Sequence, residues 1–220
     1  MPSLWRCCWA GSGEPDRSAV HRTLSRWLDS DHHAQRKPWS WAAHTADRDL
    51  LIGLLDDRLT ERLRSGAAAA GAPVRQVAAA GWSELRSGRA RDCWQMEFTS
   101  PVTFRRGNRF LPWPSPSAVF GSLRAAWRHF GAPAVGDHEL DLRLDPLVVT
   151  TVCGASRTER VTVHEQASVL VGGFVGTVRY AVDGGVADPQ VIDALVALAP
   201  FSGVGAYTTR GFGGVRALGG

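Results

Sequence analysis

Lysine is almost missing from this chain of 220 residues. Lys37 is the only one, and arginine carries nearly all of the positive charge. That bias makes the position of the one lysine worth weighing. Tyrosine is scarce too, with Tyr180 and Tyr207 alone. The four cysteines, Cys7, Cys8, Cys93 and Cys153, form no C-x-x-C pair. Neighbouring Cys7 and Cys8 point to opposite faces of a strand, so they do not chelate one metal together. No metal-ligand spacing and no cofactor motif is present, and the thiols read as free in a reducing cytosol. No apolar run is long enough to span a bilayer, and Met1 to Trp9 is too short and polar for a signal peptide. A cytoplasmic protein with no membrane partner is expected.

What is present points to a folded, basic protein. Hydrophobic residues make up 44% of the chain, enough for a packed core and too many for disorder. The formal net charge of +4 leans toward an anionic partner.

Periodicity predicts an α+β fold. Leu4 to Ala10 alternates as a strand. Pro15 suits the first position of a helix whose stripe is Val20, Leu24, Trp27 and Leu28. Strands follow at Pro38 to His44 and Leu50 to Leu55. Leu55, Leu59 and Leu63 mark a second helix, which ends near Gly66 or Gly71, with Ala67 to Ala70 as its frayed end. Val74 to Trp82 reads as a fourth strand. The second half repeats this order. Cys93 to Phe98 is a strand, and Ser115-Pro116 starts a helix that Gly131 stops. Leu147 to Val152 is a strand, and Thr158 to Val163 pairs with it or with the loop beyond. Phe174 to Val182 is another strand. Asp188-Pro189 caps a helix with core face Ile192, Leu195, Val196 and Ala199, and Phe212 to Leu218 closes the set. Two tandem ferredoxin-like (RRM-like) βαββαβ domains are predicted, residues 1–88 and 89–220, the second with an extra hairpin arm.

Between the last helix and last strand lies Phe201-Ser-Gly-Val-Gly-Ala-Tyr-Thr-Thr-Arg-Gly-Phe-Gly-Gly214. Its glycines strip side chains from a surface, so backbone N–H groups there could approach phosphates. Tyr207 and Phe212 offer rings to bases, and Arg210 and Arg216 add charge. A dinucleotide fingerprint must follow a strand and open a helix, whereas this loop follows a helix and opens a strand. A Walker loop needs Gly-Lys-Ser/Thr, which is absent.

Four stretches taken in order closely resemble the CRISPR repeat-processing endoribonucleases of the repeat-associated RNA-binding superfamily. They are Thr99-Ser-Pro-Val-Thr-Phe-Arg-Arg-Gly-Asn-Arg-Phe-Leu-Pro-Trp-Pro-Ser-Pro116, Val119 to Trp127, Gly172 to Tyr180, and the loop Gly203 to Gly213. The loop matches that family's G-x-G-x5-G-x-G at every glycine. The resemblance covers Asp92 to Leu218 well and the first half more loosely. It implies tandem ferredoxin-like domains, a bound repeat RNA, and metal-independent cleavage by the RNA's own 2′-hydroxyl. The products would carry a 2′,3′-cyclic phosphate and a 5′-hydroxyl. It also implies partnership with other CRISPR effector subunits, and leaves homodimerisation open.

That chemistry needs a base for the 2′-hydroxyl, an acid for the leaving oxygen, and a cation at the phosphate. The family places its histidine in or just after the first helix, with a lysine shortly beyond. Here His21, His32 and His33 answer to the histidine and Lys37 to the lysine. His33 and His32 are favoured as the acid/base source; His21 shares a helix face with Ser25 and His32 and stays in contention. The tyrosine the family often has near this histidine is absent. Expected RNA contacts are Arg36, Arg105, Arg106, Arg109, Arg124 and Arg128, with Gly203, Gly205, Tyr207, Arg210, Gly211, Phe212 and Gly213 of the loop. His44, His129, His138 and His164 read as structural. The competing reading is a non-catalytic RNA-binding subunit of the same fold. A two-histidine phosphoesterase needs two His-x-Thr/Ser motifs, and only His21-Arg22-Thr23 fits.

Overall fold

The structure, a computed structural model, describes residues 1–8, 15–29, 36–44, 49–87, 91–131, 147–164, 167–183 and 189–218. The first half runs β1 (Ser3–Cys8), α1 (Arg17–Leu28), β2 (Trp39–His44), β3 (Asp49–Leu54), α2 (Leu59–Ala69) and β4 (Val74–Ala79). Its antiparallel sheet has the order β2-β3-β1-β4. Alternation places Trp5, Cys7, Trp39 and Trp41 on the inner face, where they meet Val20, Leu24 and Leu28 of α1 and Leu59 and Leu63 of α2. Asp16 caps α1 by accepting from the Ser18 N–H at 2.9 Å. Pro15 therefore precedes the cap instead of opening the helix as expected. At the other end, Arg62 of α2 donates to the carbonyls of Trp27 and Asp29, at 3.0 and 3.1 Å. A cation there satisfies carbonyls that α1 leaves unpaired. Ala67 is not part of a frayed end: α2 continues through it, and Ala67 is buried.

Val74 to Trp82 does not remain a strand to its end. After Ala79 the chain forms a short helix, α3 (Trp82–Arg86), in which the Glu84 carboxylate accepts from the Gly81 N–H at 3.2 Å. Trp82 and Leu85 pack into the core of the second half, so burial there outweighs strand propensity. The domain boundary expected between residues 88 and 89 lies outside the described residues.

The second half continues β5 (Cys93–Val102), β6 (Phe104–Arg106), β7 (Arg109–Leu111), α4 (Pro116–Phe130), β8 (Leu147–His164), β9 (Ala167–Val182), α5 (Pro189–Ser202) and β10 (Val215–Leu218). The sheet order β10-β5-β9-β8 is that of the first sheet, with β5, β8, β9 and β10 in the places of β1, β2, β3 and β4. Ser115 caps α4, accepting from the Ala118 N–H at 3.3 Å. Val119, Phe120, Leu123 and Trp127 then face Ile192, Leu195 and Ala199 of α5 over the sheet.

One element is new here, and two expectations are corrected. The arginine cluster is a hairpin, β6-β7, pairing Arg106 with Arg109 about Gly107. Leu147 to Val152 and Thr158 to Val163 belong to one strand, because β9 begins at Ala167 and pairs with it throughout; Gly154 and Ser156 are carried by their partners Gly176 and Phe174. The end of this arm turns back on the glycine-rich loop, where Val161 and Val171 pack against Phe212. The last strand starts at Val215, not Phe212, because residues 212–214 are held in the loop.

Candidate active site and nucleic-acid interface

The glycine-rich loop is tied mainly to itself and to its own half. The N–H groups of Val204, Ala206 and Gly213 donate to the carbonyls of Gly213, Thr103 and Pro101, at 2.9, 2.8 and 2.8 Å. Those of Gly205 and Gly214 donate to the hydroxyls of Ser122 and Ser100, each at 2.8 Å. These amides are therefore occupied, and the picture of a phosphate cradle built from them is corrected. The glycines instead permit close packing. Gly213 has φ +68°, and a Cβ there would run into the Val204 carbonyl.

Two of the loop's carbonyls, those of Thr209 and Gly211, face the other half. Arg17 and His21 stand four residues apart on α1 and so share a face. Arg17 Nη1 donates to the Gly211 carbonyl at 2.6 Å, and its guanidinium lies 5.4 Å from the centre of the Phe212 ring. His21 Nδ1 lies 2.7 Å from the Thr209 carbonyl oxygen, and Trp41 Nε1 donates to the same oxygen at 2.8 Å. A carbonyl only accepts, so Nδ1 carries the proton. In the neutral ring the lone pair is then on Nε2, the form a general base needs. The ring also stacks on Trp39, centroids 5.9 Å apart and planes inclined by 28°. Burial holds the His21 pKa below its ordinary 6.5, and the charges of Arg210 and Lys37 push the same way. The Thr209 carbonyl and Asp29 oppose them without prevailing.

Asp29 links His21's surroundings to Lys37. Its carboxylate accepts from Trp39 Nε1 at 2.8 Å and stands 3.5 Å from Lys37 Nζ. Lys37 and Arg36 open onto a groove of about 1100 Å³ between the halves. Arg105 and Arg106 of the β6-β7 hairpin line its other wall, and Gly203, Gly205, Tyr207 and Thr209 come from the loop. Four cations therefore line the groove, and no Asp or Glu is among the described residues that do so. The N-terminal part of α4 adds the hydroxyls of Ser117 and Ser122.

The remaining sequence candidates fall in different places. His32 and His33 lie outside the described residues, as does His138. Arg109, Arg124 and Arg128 are not part of the groove lining. Arg210 is half-buried, which lowers its pKa. Phe212 is fully buried and presents no face to a base. Tyr207 keeps contact with the groove while its ring packs near Phe110, 5.3 Å between centroids. Tyr180 is buried with its hydroxyl donating to the Pro114 carbonyl at 2.9 Å, and burial raises its pKa. Among the described residues no three His, Cys, Asp or Glu side chains gather in a way that could hold a metal ion. Sequence reasoning missed Arg17, Trp39, Trp41 and Thr209. Arg17 was within reach, since it stands one helical turn before His21. The Thr209 carbonyl was not, because a backbone oxygen carries no residue signature.

Two ferredoxin-like units, with a loop of one docked on a helix of the other beside a basic groove, define the chain as a tandem ferredoxin-like α+β protein. Residues 96–215 match the family model described as CRISPR-associated endoribonuclease Cas6, and the chain belongs to that family. A curated relative, the CRISPR-associated endoribonuclease Cas6 of Mycobacterium tuberculosis, is 27% identical over 127 residues, which are 56% of this chain and 38% of the relative. The match thus spans well under half the length of the curated relatives. Among solved structures, Thermus thermophilus Cas6 (TTHB231) superposes with a TM-score of 0.76 at 26% identity, covering 99% of this chain and 98% of that one. The Cas6 (TTHA0078) product complex superposes at 0.78 with 23% identity, covering 99% of each chain, and speaks to the fold alone.

Proposed function

We propose that this chain binds CRISPR repeat RNA in the inter-half groove and cleaves it without a metal. Residues 1–88 supply the reacting side chains, and residues 89–220 supply the loop and hairpin that hold the RNA. The observation that carries the reading is His21: its Nδ1 proton is fixed on Thr209 beside a groove lined by Arg36, Lys37, Arg105 and Arg106. In the proposed step His21 Nε2 takes the 2′-hydroxyl proton. The 2′-oxygen bonds to the adjacent phosphorus, and the bond from phosphorus to the 5′-oxygen breaks. That oxygen leaves with a proton from a second group, for which His32 and His33 are the candidates. The products are a 2′,3′-cyclic phosphate and a 5′-hydroxyl. Lys37 offsets the charge that builds on the phosphate, a role of about 10²–10³ in rate for a well-placed donor. Depressing the His21 pKa keeps the base unprotonated at neutral pH. The protein then stays on the cleaved repeat alongside other effector subunits.

The test is cleavage of end-labelled repeat RNA in EDTA, with binding measured in parallel. Cyclic-phosphate product from the wild type, and none from a His21→Ala variant that still binds, is the expected result. Loss confined to His32→Ala or His33→Ala would move the base there. Tight binding with no cut by any protein would leave an RNA-binding subunit.

A further inference from the structure

Trp113 is the only Trp, Tyr or Phe exposed among the described residues, at 54%. Single exposed apolar side chains are ordinary on protein surfaces. Three observations set this one apart. It lines the cation-rich groove, in company with Arg105, Arg106, Arg36 and Lys37. Among the described residues its indole makes no hydrogen bond or ring contact. Its backbone, in contrast, is firmly mounted. Trp113 stands between Pro112 and Pro114, each with a fixed φ. Its carbonyl accepts from the Ser115 N–H at 2.9 Å, at the point where Ser115 caps α4. The next carbonyl, Pro114, accepts from the buried Tyr180 hydroxyl. An indole on a rigid backbone has only its two side-chain torsions to fix when something flat lands on it.

We propose that Trp113 is a stacking platform for an unpaired nucleobase of the RNA in the groove. The proposal rests on the RNA-binding reading above and deepens it. The groove's charge selects a polyanion, and a polyanion that also offers aromatic faces is a nucleic acid with unstacked bases. A paired stem keeps its faces covered, so the platform takes a base from a single-stranded flank or loop. It acts on base stacking while the arginines act on phosphates, which separates the two contributions experimentally.

The experiment uses the full chain and repeat RNA carrying 2-aminopurine at successive unpaired positions. Stacking on an aromatic ring quenches that base. Wild type is expected to quench one position. Trp113→Ala is expected to lose that quench and to weaken binding roughly 5- to 150-fold, the range for one stacked base. The salt slope of its binding stays at the wild-type value, whereas Arg105→Ala lowers the slope by about one. Trp113→Phe restores most of the affinity and Trp113→Leu does not. That pair separates an aromatic face from mere bulk even if the alanine variant is less stable. Equal affinity and equal quench in wild type and Trp113→Ala overturn the proposal and leave the RNA-binding reading intact. Equal rescue by Leu and Phe overturns stacking. Failure of the wild type to bind repeat RNA overturns both.

Discussion

The two halves share an element order and a sheet order, yet they connect their second helix to their last strand differently. In the first half residues 70–73 take α2 into β4. In the second, residues 203–214 take α5 into β10 and form the glycine-rich loop. The short connection does little beyond turning the chain. The long one spends its amides on its own half and turns the carbonyls of Thr209 and Gly211 toward α1 of the other. A repeated fold thus supplies two similar frames, and the site arises where the second departs from the first, at this loop and at the β6-β7 hairpin.

The sharpest test of that asymmetry is chemical. His21→Ala is expected to lower repeat cleavage by about 10²- to 10⁴-fold while affinity holds. His129→Ala, exposed on α4, should leave both unchanged. Single-turnover cleavage beside a binding titration decides it, and equal losses from the two variants would erase the distinction between the halves.

Next in size is a pair of glycines. Gly71 and Gly213 occupy corresponding connections with similar backbone, φ +64° and +68°. A Cβ on Gly71 meets nothing within 4 Å, whereas one on Gly213 runs into Val204. Gly71→Ala should cost about 1 kcal/mol, the left-handed strain alone. Gly213→Ala adds the clash and should cost about 3 kcal/mol or more. Denaturant unfolding measures both, and equal costs would show that the long loop is no more tightly packed than the short one.

Salt dependence sharpens the comparison of the groove's two walls. Removing Arg36 from one wall, or Arg105 from the other, should each lower the slope of log affinity against log salt by about one. A change from Arg105 alone would assign the phosphate contacts to the second half.

The smallest expected effect is in stability against pH. The folded pKa of His21 lies below the unfolded 6.5. As pH falls through 6.5 the unfolded chain takes up the proton first, so stability drops from there until the folded pKa is passed. His21→Ala should flatten that part of the curve in thermal melts at closely spaced pH values. An unchanged curve would place the ring in a more solvated setting.

Much of the fold was legible. The stripes Val20-Leu24-Trp27-Leu28 and Val119-Phe120-Leu123-Trp127-Phe130 are strong because helical periodicity is local, and all but the partly buried Trp27 and Phe130 are buried. The helix Trp82 to Arg86 was missed, and the strand run on to Trp82, because packing against α5 is set by distant sequence. The β8-β9 arm was cut short because a strand's partner decides how far it extends. The candidate site was legible in its residue types and less so in their roles. Gly203 to Gly213 could be found by spacing, but whether its amides face a ligand or the loop itself depended on Ser100, Ser122 and Thr103.

The sequence by itself determined the βαββαβ plan of each half, the basic character of the chain and the short set of residues able to do acid–base work. All of these follow from local periodicity, composition and side-chain chemistry. Tertiary structure alone decided that His21 meets the Thr209 carbonyl, that Phe212 is buried and that Trp113 is exposed. Contacts between residues separated by 188 positions leave no trace in local pattern. They exist only once both cores have formed and pressed a loop of one half against a helix of the other.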